Sequence, residues 1–257
     1  MRIPFAALLL ALATVFVYLQ SSGGFLYPDY SAVLDHSYGL NQFPSLVFHL
    51  FYHLGLKHFV GNVLPLLVFA ILLGLVVSDL EVVGLFLASG MLSALVFSLL
   101  NPTSFLVGAS SGVSALMTAS ALLKPRLGLA FLIAVPIFTF FIAYPFLDQA
   151  AQNQVQSLAF RQAALEKTAK DLEGQKKFSE AQAVLLQANA TGMALLAQKD
   201  GKSREESAQS DFLVHLVGAL LGAGFVLWRH PKELEAGLTE LWPFFEAVRS
   251  FFGKSGK

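Results

Sequence analysis

Six stretches of this chain, residues 3–20, 58–77, 82–100, 105–123, 127–147 and 212–228, contain no Asp, Glu, Lys or Arg at all. Each is close to the about 20 apolar residues that a helix needs to cross a hydrocarbon layer about 30 Å thick. Backbone N–H and C=O groups in lipid must be satisfied within the segment, so runs of this kind are helices. The expected fold is therefore an all-α membrane protein with six transmembrane helices. Charged residues make up 13% of the chain, against roughly 25% in a soluble domain. The formal net charge is +0, which gives no footing for a nucleic-acid partner. There is no cysteine, so disulfides and thiolate metal sites are excluded.

The first stretch follows Arg2 and resembles a signal peptide, but "YLQSSGG" lacks a small-x-small cleavage site, so a retained span is expected. Arg2, Lys124, Arg126, Arg229 and Lys232 flank the spans on one side, whereas residues 21–44 and 101–104 on the other side carry no Lys or Arg. The positive-inside rule then puts both termini in the cytoplasm.

Two regions do not span. Residues 148–210, between spans five and six, are rich in Ala, Gln, Lys and Glu. Their Leu and Ala spacing predicts two helices with a turn near Gly174. The topology puts this insert outside, and its eight Lys and Arg do not oppose that, because long loops translocate regardless of charge. The tail, 229–257, is amphipathic, with Leu234, Leu238, Leu241, Phe245, Val248 and Phe252 near one face. It is expected to lie on the cytoplasmic membrane surface. The chain thus divides into spans one to five (1–147), the insert (148–210), span six (211–228) and the tail.

Polar side chains inside spans are costly and face interior cavities. Three clusters stand out. In "HLFYHLGLKHFVGN", His58 and Asn62 are four apart and share a helix face. Both donate hydrogen bonds, which suits them to hold a developing negative charge. In "FLVGASSGVSALM", Gly108 permits close backbone approach, and a serine at a helix start meets unpaired N–H groups and the positive end of the dipole. In "VHLVGALLGAG", His215 is followed by Gly218 and Gly222, whose spacing lets two helix backbones come close. Together they supply a nucleophile, a base and oxyanion donors. No carboxylate lies near them in any span, so a Ser–His dyad is expected. Each cluster alone has a plainer reading: serines bond back to the preceding turn, His58 and Asn62 make a helix contact, and the glycines only pack. A metal site is disfavoured. His49, His53 and His58 have no "HExxH" beside them and Asp35 is the only nearby acid.

These motifs resemble the rhomboid family of intramembrane serine proteases. The family's H-x-x-x-x-H-x-x-x-N corresponds to His53, His58 and Asn62; its serine motif to Gly108, Ala109, Ser110, Gly112, Val113, Ala115 and Leu116; its H-x-x-G-x-x-x-G to His215, Gly218 and Gly222. The resemblance implies a six-span rhomboid bundle, Ser110 as nucleophile, His215 as general base, and an oxyanion hole from His58, Asn62 and the Ser110 backbone N–H. It implies an endopeptidase cleaving transmembrane substrates in the bilayer without cofactor or metal, in a bacterial cytoplasmic (inner) membrane. The alternatives are a catalytically inactive rhomboid-like protein that binds membrane clients, and a small-solute channel using His58 and His215.

The chain departs from the family pattern in four places. Ser111 stands where the family has glycine, so Ser111 is the alternative nucleophile, although Ser110 keeps more of the pattern. Ser114 stands where a tyrosine often packs on the histidine. Pro44 and Ser45 replace a Trp-Arg pair. The insert replaces a short loop, and is either a helical hairpin that screens substrates or binds a partner, or a tolerated surface insertion.

Overall fold

In a computed structural model, residues 4–23, 26–38, 44–207 and 212–253 are described. Among them the chain is all-α, apart from an isolated antiparallel bridge between Tyr38 and Leu106. The helices are α1 (Phe5–Ser22), α2 (Tyr30–His36), α3 (Ser45–Phe48), α4 (Leu56–Gly74), α5 (Asp79–Leu100), α6 (Ser110–Leu123), α7 (Pro125–Phe138), α8 (Tyr144–Gly174), α9 (Phe178–Ser207), α10 (Phe212–Arg229) and α11 (Pro231–Gly253). A π-helical turn, Thr139–Ala143, joins α7 to α8. By length and composition, α1, α4, α5, the continuous run Pro125–Gly174 and α10 can each cross a membrane.

The packing follows from the apolar periodicity. Leu66, Phe69, Phe86 and Leu116 are fully buried between α4, α5 and α6. Phe5, Leu12 and Phe16 on α1, and Ile133, Ile137 and Phe141 on the other flank, remain exposed, as side chains facing lipid tails would. At one end, a capping box of Ser78 and Glu81 starts α5, and Asp79 accepts the backbone N–H of Ala6 at 3.1 Å.

Span four is shorter than its apolar run. Residues 105–109 are not helical, because their backbone is bonded elsewhere. Leu106 exchanges both hydrogen bonds with Tyr38 (2.8 and 3.0 Å), and the Gly108 N–H donates to the His49 carbonyl at 2.8 Å. Gly108 has φ +115°, outside the helical region and accessible to glycine. The remaining 14 residues of α6 reach about 21 Å at 1.5 Å per residue, short of the about 30 Å hydrocarbon thickness.

Span five differs in the opposite sense, running without a break into the insert's first helix. Pro136 and Pro145 lie nine residues apart around the π turn. Each removes an N–H and crowds the carbonyl four residues back, which loosens the ladder between them. The insert is a hairpin of α8 and α9. Its turn is closed by Lys177 N–H to Leu172 C=O (3.0 Å) and Lys176 N–H to Glu173 C=O (2.9 Å), the Schellman pattern. Its left-handed residue is Lys176, at φ 59°, two positions past Gly174.

The tail docks on the far end of the bundle. A Cβ at Gly237 would lie 2.6 Å from the Leu122 carbonyl, and Arg126 Nη2 donates to the Glu240 carbonyl at 3.1 Å. Ile3, residues 208–211 and the side chains of Phe245, Val248 and Phe252 lie outside the described residues.

Candidate active site

The start of α4 carries two of the residues singled out by the sequence. The His58 ring accepts the Leu54 N–H at Nδ1 (3.4 Å), which leaves Nε2 as the protonated, donating nitrogen. That nitrogen faces Gly108, where a Cβ would lie 2.7 Å away. The glycine is therefore needed twice, for its φ and for the room it leaves the imidazole. His53 meets His58 edge-on at 5.0 Å between ring centroids and is itself bonded through Nδ1 to the Phe51 carbonyl at 3.2 Å. One turn on, Asn62 Nδ2 donates to the His58 carbonyl at 2.8 Å. An amide NH₂ has two protons, so one remains for another acceptor.

Ser110 is the first residue of α6, and no side chain caps that end. The free N–H groups of the first turn and the positive dipole end surround it. The structure separates the two adjacent serines. Ser110 is part-exposed and lines a cleft, whereas Ser111 is buried, 1% exposed, and its backbone carbonyl lies against α10. Successive helical residues point about 100° apart, so only one of the pair can face the opening. Ser114 bonds back to the Ser110 carbonyl at 2.8 Å; where a ring was expected, a hydroxyl serves its own helix.

His215 is delivered by the glycines that follow it. A Cβ at Gly218 would run into the Ser111 carbonyl, and one at Gly222 into the Ala115 carbonyl. Both pairs have the same offset in residue number, so α10 runs parallel to α6 with backbones in contact. That register brings His215 level with Gly108, within one turn of Ser110. His58, Asn62, Ser110 and His215 all line one cleft of about 910 Å³. A second cavity of about 260 Å³, bordered by the π turn at Thr139, shares Asn62, Ser110 and His215.

Glu205 was not foreseen. It lies near the end of α9, lines the same cleft, and accepts the His58 backbone N–H at 2.8 Å. Burial pushes its carboxyl above the usual carboxylate range, although Lys57 pulls it back. One sequence signal pointed toward it: the insert must return to span six, so its last turn has to end near the mouth. Tyr144 likewise enters from beyond the predicted motifs, with its hydroxyl over Gly61. Among the described residues, no group of three His, Asp or Glu side chains is placed to hold a metal ion.

A family model, the rhomboid domain, matches residues 40–160. No curated protein and no solved structure matches the chain. The matched segment contains His58, Asn62 and Ser110, while His215 lies beyond it and reaches them through the α6–α10 contact. The chain is an integral membrane protein whose residues 40–160 match the rhomboid domain, that of a family whose members are in general intramembrane serine proteases.

Proposed function

We propose that this protein is an intramembrane serine endopeptidase that cleaves transmembrane proteins with a Ser110–His215 dyad. The observation that carries this reading is the convergence of His215 and Ser110, with His58 and Asn62, on one cleft through the parallel α6–α10 register. Neutral His215 takes the Ser110 proton as Oγ attacks the scissile carbonyl. The oxyanion is held by His58 Nε2–H, the second Asn62 N–H and the Ser110 backbone N–H. His215 then gives its proton to the leaving amine, and deprotonates the water that hydrolyses the acyl ester. The short α6 favours this chemistry, since a helix that does not fill the bilayer leaves room for water above Ser110. A substrate must present an unwound stretch, because a helical carbonyl is hydrogen-bonded within its own helix. Both termini are taken as cytoplasmic, with the insert on the opposite side above the cleft.

The test is labelling of the purified protein by a serine-directed fluorophosphonate, beside cleavage of a model transmembrane substrate. Labelling and cleavage are expected together. Labelling of a control serine protease but not of this protein would instead support an inactive, client-binding relative.

A further inference from the structure

The cleft has one wall that the spans do not make. Helix α4 follows Gly55, and no side chain of its own segment caps it. The Glu205 carboxylate fills that place from the insert: Oε1 takes the His58 N–H at 2.8 Å, and the Lys57 N–H faces the same group. Gly55 has φ −174°, an extended backbone open to any residue, so conformation does not require glycine here. Space does. A Cβ at Gly55 would lie 2.5 Å from the Glu205 carboxyl carbon and 2.7 Å from Oε1. The end of α9 is held in place by other bonds. Gln198, 3% exposed, bonds both the N–H and the carbonyl of Tyr27 (3.2 and 3.3 Å). The Arg204 guanidinium lies 4.0 Å from the Tyr30 ring centroid.

We propose that Glu205 is a positioning residue of the active site: the insert caps α4 across the fold, and that bond aims the His58 ring at the oxyanion. The inference rests on the protease reading above. Its physical basis is that the capped N–H belongs to His58 itself. An uncapped first turn frays, and fraying there swings the donor ring that faces Gly108. The carboxylate does not serve folding best, since burial disfavours its charged form. Glu205→Gln is therefore expected to be at least as stable at neutral pH, which separates positioning from folding.

The test compares Glu205→Ala, Glu205→Gln and Gly55→Ala in the full-length protein. Gly55→Ala displaces the carboxylate without removing its charge. Cleavage of the transmembrane substrate and the labelling rate with a small fluorophosphonate are both measured. In Glu205→Ala and Gly55→Ala, kcat and labelling rate should fall together by about tenfold with KM unchanged. Glu205→Gln, which keeps an acceptor oxygen, should fall less. In a His58→Ala background, Glu205→Ala should add nothing, because the effect passes through that ring. Three results would overturn the inference: variants at the wild-type rate, losses that add in full to His58→Ala, or a loss confined to the large substrate with labelling intact. The last would make the hairpin a substrate screen. A wild-type protein that neither cleaves nor labels would sink the protease reading and this inference together, whereas active wild type beside unaffected variants would sink the inference alone.

Discussion

The cleft is held from two sides by opposite means. On one side, α10 lies against α6 with backbone touching backbone, through Gly218 and Gly222, and no side chain between them. On the other, the insert meets the segment before α2 and the start of α4 through polar groups: Gln198 on Tyr27, Glu205 on His58 and Asp148 on Lys57 at 2.7 Å. The first contact is dispersion over short distances and tolerates no added atom. The second is a set of separate hydrogen bonds and ion pairs, each worth little alone and each open to competition from water. The glycine contact is thus expected to behave as a single rigid unit and the insert contact as a sum of small terms.

The largest effect expected is at the serine facing the cleft. Ser110→Ala should reduce cleavage by about 10⁴-fold or more, as loss of a nucleophile does. Ser111→Ala, whose hydroxyl is buried away from the cleft opening, should retain most activity; the reverse pattern in a cleavage assay would make Ser111 the nucleophile. Gly218→Val comes next. Its side chain would push α10 off the Ser111 carbonyl, with a cost in stability of about 1–3 kcal/mol. The displaced His215 would lower kcat by about 100-fold. Retained activity would mean that the glycine contact does not set the dyad.

The insert side should respond more weakly. Lys57→Ala breaks a part-exposed ion pair with Asp148 and should cost about 0.2–1 kcal/mol, read as a small drop in melting temperature that vanishes at high salt. The smallest effect is a pH dependence. The Glu205 carboxyl is raised above its ordinary 4.5 by burial, so the folded state binds its proton more tightly than the unfolded chain. Its contribution is fully present below about 4.5 and is lost as pH rises through the higher folded value. The melting temperature of wild type should therefore fall, relative to Glu205→Gln, as pH rises across that window. Parallel curves would remove the group from the balance.

Much of the fold was legible because charge-free runs of membrane length admit little besides helices. The glycine spacing in span six implied a close helix partner, and Gly218 and Gly222 lie against the Ser111 and Ala115 carbonyls of α6. The true start of α6 was not legible: residues 105–109 are as apolar as the helix they precede, and only their bonds to Tyr38 and His49 take them out of it. The π turn was hidden for a related reason, since it arises from two prolines within a run that still reads as one span. Glu205 was not legible because it sits on a polar helix end outside the spans, and only the fold of the insert brings that end to α4.

The sequence by itself determined the membrane, the number of apolar runs, and the order of the histidine, serine and glycine motifs along them. These depend on composition and on spacing within one helix, which periodicity encodes locally. Only the tertiary structure decided which of two adjacent serines faces the cleft, how deep α6 begins, and that a side chain nearly 150 positions away in the chain caps the helix that carries His58. Those depend on helix rotation and on contacts between distant segments, where a turn of 100° or a single hydrogen bond changes the outcome.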